Sequence, residues 1–152
     1  MSGPADLPRR RLRTWIRILR LTRQVENRLR EFLRVNYATT LPRFDVAAAL
    51  WRRGRPMKMS ELSKMLLVSN GNATAVVDRL ERDGLVRREP DPQDRRVVQV
   101  GLTEAGERWF AELAAAHEAE VSRLLAALGH EEMDLVRDLI RRMEGATRDT
   151  DG

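Results

Sequence analysis

The sequence predicts a mainly α-helical protein with a small β-wing, in which a winged helix-turn-helix lobe is joined to a helical dimerisation region. Apolar residues recur at intervals of three and four over most of the chain, which is typical of amphipathic helices. Two short helical segments, with Ser60 and Ser69 as predicted N-caps, lie only a few residues apart, as in a helix-turn-helix. After Gly84 the apolar period changes to two, which indicates a β-hairpin directly behind those helices.

The helical dimerisation region is predicted from two long segments, residues 9–37 and 103–144. No Pro or Gly interrupts residues 9–37. Their apolar residues cover a wide arc, so we expect a partner helix to bury them. Thr103 can cap the next helix, and Gly129 separates that helix from the last one. The chain ends are expected to be loose tails: residues 1–8 and 145–152.

The winged lobe is predicted to span residues 41–102. Pro42 fits the first turn of a short helix that ends near Gly54. Residues 56–59 are too few for a helix and are expected to form an edge strand. The two strands of the hairpin follow, at residues 85–89 and 97–102.

The segment Ser69–Gly84 has the pattern of a recognition helix. Its first two turns expose small and amide side chains, and its arginines come later. A helix whose N-terminal turns reach base edges and whose C-terminal turns contact phosphates would have this pattern. We expect base reading by Asn70, Asn72 and Thr74, and phosphate contacts by Ser69, Arg79 and Arg82. On this segment alone, an ordinary amphipathic helix with a polar start is an equal alternative.

The loop of the predicted hairpin contains two prolines and is long enough to protrude. Its tip carries Asp94, Arg95 and Arg96. Arginine is the residue type that enters narrow minor grooves, so we expect the tip to contact DNA. The alternative is a solvated loop tip, with Asp94 as a plain turn residue.

Charge is distributed unevenly along the chain. Residues 1–35 carry ten Lys or Arg and three Asp or Glu, and residues 51–100 carry eleven and seven. Residues 103–152 carry six and twelve, so the acidic surplus lies on the last helices. The basic first two thirds predict a polyanion as partner, here double-stranded DNA.

The residues that most enzymes need are missing. The chain has no cysteine, which excludes a thiolate metal site and a cysteine nucleophile. It has neither a Gly-rich phosphate loop nor a hydrolase signature. Its two histidines, His117 and His130, lie on different predicted helices, and His117 is expected in the core or an interface. We therefore expect no enzymatic activity, no metal and no cofactor.

The sequence also predicts a cytoplasmic protein without a membrane partner. It contains no apolar run of the roughly 18 residues that a spanning helix needs. The arginine-rich N-terminus lacks the apolar core of a signal peptide. Four aromatic residues could line a pocket for an aromatic ligand, although core packing is the more common role of such residues: Trp15, Trp51, Trp109 and Phe110.

Three segments resemble the MarR family of bacterial transcriptional regulators. The wing runs Asp-Arg-Arg from Asp94 and leads into Leu-Thr-Glu-Ala-Gly at 102–106, which is similar to the family's Asp-x-Arg and Leu-Thr-x-x-Gly signature. Residues 76–86 resemble the family's recognition helix and its exit, and residues 41–44 resemble the start of its second helix. The resemblance covers nearly the whole chain. One departure is Ala75, where many members carry a basic residue.

The resemblance implies a homodimer, held by the first and the last two helices, on a pseudo-palindromic operator. It implies that Arg96 enters the minor groove and that Asp94 orients it. It also implies a small effector, often an aromatic acid or its coenzyme A thioester, that releases the DNA. We therefore expect a ligand-responsive, sequence-specific DNA-binding repressor. The alternative is a winged-helix protein-interaction module that does not bind DNA.

Overall fold

The computed structural model describes residues 6–66 and 73–148. The described chain is mainly helical and carries one small antiparallel sheet, as the sequence predicts. Its elements follow in the predicted order: α1 Leu7–Tyr37, α2 Leu41–Arg53, β1 Met57–Lys58, α3 Met59–Met65, α4 Ala73–Arg82, β2 Val86–Pro90, β3 Val98–Leu102, α5 Glu104–Leu124 and α6 His130–Arg148.

Several boundaries differ from the sequence prediction. Helix α1 already begins at Leu7, because Pro8 fits its first turn. Helix α3 begins at Met59, so Ser60 lies inside the helix and Lys58 takes the N-cap position without a side-chain hydrogen bond. Helix α6 continues to Arg148 through residues expected in the tail. Ser69, the predicted cap of the recognition helix, lies outside the described residues.

The chain divides into two compact units, one through Glu120 and the other from Val121 on. The predicted grouping of residues 9–37 with 103–144, apart from a lobe over 41–102, depends on a second copy of the chain and stays a prediction. In the part of the chain that the structure covers, no helix is both long and apolar enough to cross a membrane.

Helix α1 has a covered half and an uncovered half. Leu29 and Leu33 near its C-terminal end are buried in the first unit. In its first half, Leu12, Trp15 and Leu21 expose 56–59% of their surface. These side chains lie on more than one side of α1, because Leu12 and Leu21 are on opposite sides of the helix, and large apolar side chains exposed together in this way are typical of a surface that a partner covers.

The sheet joins the wing to the core of the first unit. Its strand order is β1–β3–β2, and Met57 pairs with Val100. Strands β2 and β3 form the predicted hairpin, in a register that runs from Val86 opposite Leu102 to Pro90 opposite Val98. One buried cluster joins this sheet to helices α2, α3 and α4, and its members include Leu50, Met57, Leu62, Val77, Leu80, Val86 and Val100. A second cluster joins α1, α2 and α5 through Leu33, Leu41, Phe44, Phe110 and Leu113.

A tight junction connects α4, the sheet and α5, and we call it the Leu85 junction, formed by Gly84, Leu85, Thr103 and Gly106. Gly84 adopts a φ of 75° and closes α4, which lets the Leu85 N–H donate to the Leu80 carbonyl at 2.9 Å. The Thr103 hydroxyl donates to the Gly84 carbonyl at 2.6 Å and accepts from the Gly106 N–H at 3.0 Å, so Thr103 also caps α5 as predicted. The Thr103 N–H donates to the Leu85 carbonyl at 3.1 Å.

We expect Gly106→Ala to destabilise the fold, because an added Cβ would lie 1.9 Å from the Leu85 carbonyl oxygen. Overpacking of this kind typically costs about 1–3 kcal/mol of the free energy of unfolding. Urea unfolding followed by circular dichroism measures the change. The matched control is Gly145→Ala within α6, where a Cβ meets no atom within 4 Å. That change should stabilise its helix by about 0.5–1 kcal/mol, and equal effects of the two variants would contradict a special role for the junction.

Candidate nucleic-acid interface

Helix α4 separates a buried face from an exposed face. Ala73, Val77 and Leu80 are buried, and Val77 and Leu80 belong to the first core cluster. The exposed residues of the same helix include the predicted reader Thr74 and the predicted phosphate contacts Arg79 and Arg82. Ala75 is exposed beside Thr74. The other predicted contacts of this helix, Ser69, Asn70 and Asn72, lie outside the described residues.

The acidic residues of α4 hold a single arginine of the neighbouring strand. Arg88 on β2 places its guanidinium 2.6 Å from Asp78 and 3.1 Å from Glu81. The same group donates to the Thr74 carbonyl at 3.5 Å, and the Arg88 backbone N–H donates to Glu81 at 3.0 Å. Burial opposes the charge of Arg88, but the hydrogen bonds to the two carboxylates outweigh it and raise the pKa of the guanidinium. We call this group, Arg88 with Asp78, Glu81 and the Thr74 carbonyl, the Arg88 clamp.

The clamp changes the charge that α4 presents outward. Arg88 offsets one of the two negative charges of Asp78 and Glu81, while Arg79 and Arg82 form no ion pair within the part of the chain that is described, so these five side chains together carry one net positive charge. The exposed face of the helix is therefore cationic, although its sequence carries both signs. A second pair, Arg43 of α2 with Asp83, holds the C-terminal end of the helix.

Asp91 organises the wing loop from inside. It is only 7% exposed, and its carboxylate accepts from the N–H groups of Gln93 at 2.8 Å and Asp94 at 3.2 Å. Its other oxygen accepts from the Gln99 side chain at 2.7 Å. The backbone bond from Gln93 is the largest of the effects that lower the pKa of Asp91. The loop thus has a defined shape, because one buried carboxylate satisfies donors from both sides of it.

At the tip of the wing, Asp94 and Arg96 form a two-point contact. Arg96 Nε lies 3.1 Å from one carboxylate oxygen and Nη2 lies 3.3 Å from the other. The Arg96 backbone N–H also donates to Asp94 at 3.1 Å, and these bonds lower the pKa of Asp94. The Arg96 side chain is nevertheless 91% exposed, and the neighbouring Arg95 is exposed as well. Asp94 therefore orients the Arg96 side chain, and the exposed guanidinium remains accessible to a binding partner.

The four aromatic residues predicted to line a pocket do not share one site. The rings of Trp51 and Phe110 pack against each other in a tilted arrangement, with centroids 5.5 Å apart. Trp51 also lines a cavity of about 400 Å³. Phe110 and the half-buried Trp109 belong to the core. Trp15 is 56% exposed on the first half of α1. The cavity beside Trp51, which we call the Trp51 cavity, is also lined by Arg55, Arg87 and Glu107, among others.

A second cavity of about 270 Å³ lies where α1, α2, the end of α3 and α5 meet. Its lining includes His117, which is partly buried and whose ring stacks on Phe44 with centroids 4.2 Å apart. Burial lowers the pKa of His117. We call this the Asp45 cavity, after the carboxylate that sequence reasoning did not single out. Among the described residues, no group of His, Cys, Asp and Glu could hold a metal ion.

Comparison with known proteins shows that the chain is similar to helix-turn-helix transcriptional regulators. A model of the MarR family matches residues 39–98. The HTH-type transcriptional regulator YkoM of Bacillus subtilis is 34% identical over 99 residues, which cover 65% of this chain but only 64% of YkoM. YfiV, another HTH-type regulator of that bacterium, is 32% identical over 114 residues, which cover 72% of this chain and 71% of YfiV.

A solved structure of a MarR variant from E. coli in complex with operator DNA has a similar fold. Its TM-score is 0.72 at 26% sequence identity, and the match covers 93% of this chain and 99% of that chain. The family model spans the lobe from the start of α2 to the wing, and YfiV matches over more than two thirds of both chains. On this evidence the chain belongs to the MarR family of winged-helix regulators.

Proposed function

We propose that the protein is a transcriptional repressor that binds a pseudo-palindromic DNA operator as a homodimer and releases it when a small effector binds. The observation that carries the DNA-binding part is the arrangement of charge on the lobe. Acidic groups of α4 and the wing are occupied by intramolecular contacts, while Arg79, Arg82 and Arg96 remain exposed. Such a surface suits phosphate contacts and a narrow minor groove.

In this proposal the start of the recognition helix reads bases and its end positions the helix. Asn70, Asn72 and Thr74 approach base edges, and Ser69, Arg79 and Arg82 contact phosphates. Asparagine suits adenine, because its amide can form two hydrogen bonds to that base. Ala75 is small and exposed, so it allows close approach and an apolar contact with a thymine methyl group.

Dimerisation is supported by two uncovered apolar surfaces. One is the first half of α1, and the other is α6, which exposes Met133, Leu135, Val136, Leu139, Ile140 and Met143. Two lobes are needed to reach half-sites about 34–36 Å apart, one DNA turn, along one face of the duplex. A homodimer would cover the apolar surfaces and supply the second lobe at once.

The effector part of the proposal rests on the Trp51 cavity. An exposed indole ring lies there beside two arginines and one glutamate, so the lining carries net positive charge. An aromatic acid or its coenzyme A thioester combines a flat apolar body with negative charge, and it would match that lining. The cavity is bounded by α2, the sheet and α5, the elements that position the wing.

We expect Arg96→Ala to weaken binding to every DNA sequence, because a minor-groove cation is lost. The slope of log affinity against log salt should flatten by about 0.9, the contribution of one phosphate contact. Fluorescence anisotropy with the protein's own upstream DNA at several salt concentrations measures this. Arg34→Ala is the charge-matched control, since Arg34 is exposed and pairs with Glu31 of its own helix. An Arg96→Ala slope equal to that of the wild type, at full affinity, would rule out the wing contact.

We expect Ile140→Glu to dissociate the dimer and abolish operator binding, because it buries a charge in the proposed apolar interface. Light scattering after size-exclusion chromatography gives the mass, and anisotropy gives DNA affinity. Arg141→Gln changes the net charge by the same amount on the adjacent, polar side of α6 and should remain dimeric. A wild-type protein that is monomeric, or one that shifts no DNA, would favour the interaction-module alternative.

We expect aromatic acids and their thioesters to raise the melting temperature, since a ligand specific to the native state stabilises it. Trp51→Ala should remove most of this shift, because the indole is the aromatic group in the lining of the cavity. Trp15→Ala is the matched control and should retain the shift, since Trp15 lies on the exposed half of α1. Equal responses in both variants would place the effector elsewhere.

A further inference from the structure

The first half of α1 carries a strongly cationic surface that the proposed function does not use. Between Leu7 and Gln24 the chain has seven arginines and neither Asp nor Glu. All seven are exposed, and within the described residues none of them forms an ion pair. Further along the same helix, by contrast, Arg34 pairs with Glu31 at 2.7 Å.

Six of the seven arginines lie on one side of the helix. Successive residues of an α-helix are rotated by about 100°, so these six fall within roughly 140° of its circumference. Trp15 and Ile18 lie on the opposite side, together with the buried Leu29. A partner that covers the apolar side of α1 would therefore leave this surface in water. We call it the arginine row, formed by Arg9, Arg10, Arg13, Arg17, Arg20 and Arg23.

The row is electrostatically unfavourable for the helix that carries it. Arg9 and Arg10 lie in the first turn, where the helix dipole is positive and no acidic residue is present. Arg13 and Arg17 are four positions apart, and Arg17 and Arg20 are three positions apart, so like charges are neighbours along the row. A bound polyanion would relieve both effects and stabilise α1.

The dimensions and chemistry of the row match the phosphates of a nucleic acid. At 1.5 Å per residue, its six arginines extend over about 21 Å, which is roughly one cation for every 4 Å. Each strand of duplex DNA has a phosphate about every 3.4 Å along the axis. All the cations are arginines, whose planar guanidinium can donate two hydrogen bonds to one phosphate. A lipid surface fits less well, because a helix that inserts its apolar side would turn the middle of the row toward water.

The row lies apart from the elements that form the DNA-binding lobe. The buried residues of α1 are Leu29 and Leu33, and along the helix axis Arg9 is about 30 Å from Leu29. The end of α1 packs in the second core cluster, through Leu33, whereas α4 packs in the first. The row is therefore a second cationic surface of the same chain.

We propose that the arginine row binds the phosphates of a second DNA duplex without sequence preference, so that the protein joins its operator to another stretch of DNA. The joining of two duplexes rests on the proposed function, but the phosphate contacts of the row do not. The ligand is duplex DNA and not a small effector.

The test measures binding of a second duplex to the protein when one operator already occupies each dimer. A fluorescent duplex of unrelated sequence is titrated with the operator complex, and its anisotropy is followed at several salt concentrations. We expect the wild type to bind it. The triple variant Arg13→Gln/Arg17→Gln/Arg20→Gln should keep operator binding but bind the second duplex more weakly, and its salt slope should flatten by about 2.7, the contribution of three phosphate contacts.

A second triple variant controls for net charge. Arg34→Gln/Arg108→Gln/Arg137→Gln removes the same charge from exposed arginines that pair with acidic residues of their own helices. It should bind the second duplex with the wild-type slope. Glutamine is a good helix former, so the row variant should melt at or above the wild-type temperature without DNA, since only repulsion is lost. Loss of binding by a variant that melts in this way is not a folding defect.

Three outcomes would overturn the proposal. The first is that the row variant binds the second duplex with the affinity and slope of the wild type. The second is that the row variant is monomeric while the wild type is dimeric, which would assign the row to acidic residues of a second copy. The third is that the wild type binds phosphatidylglycerol vesicles through the row but does not bind the second duplex.

Failure of the proposed function gives a different result. A protein that does not recognise an operator is titrated alone into the same unrelated duplex. The row variant should still lose about 2.7 of the salt slope, because the phosphate contacts of the row do not depend on the lobe. An unchanged slope in that titration would also contradict the row.

Discussion

The contact of Gly106 with the Leu85 carbonyl is the constraint on which the rest of the lobe depends. Four elements converge there: the end of α4, the start of β2, the end of β3 and the start of α5. The hydroxyl of Thr103 links two of them, and only a residue without a Cβ fits between α5 and the Leu85 backbone. The threonine and glycine of the family signature thus have a packing explanation that is independent of DNA.

The Arg88 clamp depends on this junction and sets the charge that α4 exposes. Since β2 is anchored at Leu85, Arg88 lies at a set distance from α4 and can hold Asp78 and Glu81 together. These carboxylates would otherwise repel a phosphate backbone from the same helix that carries Arg79 and Arg82. The wing repeats the arrangement, because Asp91 turns its charge inward and Asp94 directs Arg96 outward.

The sequence predicted the elements because their signals are local. Thr103 and Gly84 act as cap and stop where expected, and the change of period after Gly84 marked the hairpin. The Arg88 clamp and the orphaned Asp45 were not predicted. Arg88 contacts partners seven to fourteen positions away on another element, and Asp45 Oδ2 has no hydrogen-bond partner in the described part of the chain because helices from distant segments bury it. Helix propensity and residue spacing carry no information on such contacts. For Asp45 one local signal was present, because a single Asp among the apolar residues of α2 indicates a buried polar group.

Under the proposed function, these contacts also restrict how an effector would act on DNA binding. Helix α4 is held at its middle by Arg88 and at its C-terminal end by Arg43, and its inner face is buried in the first core cluster. Moving the helix within the lobe would break several charged hydrogen bonds at once, and each contributes about 1 kcal/mol or less because the carboxylates of Asp78, Glu81 and Asp83 are 41–50% exposed. A shift of the lobe as a unit breaks none of them. We therefore expect effector binding to change the separation of two lobes in a dimer, with α4 and the wing keeping their mutual geometry.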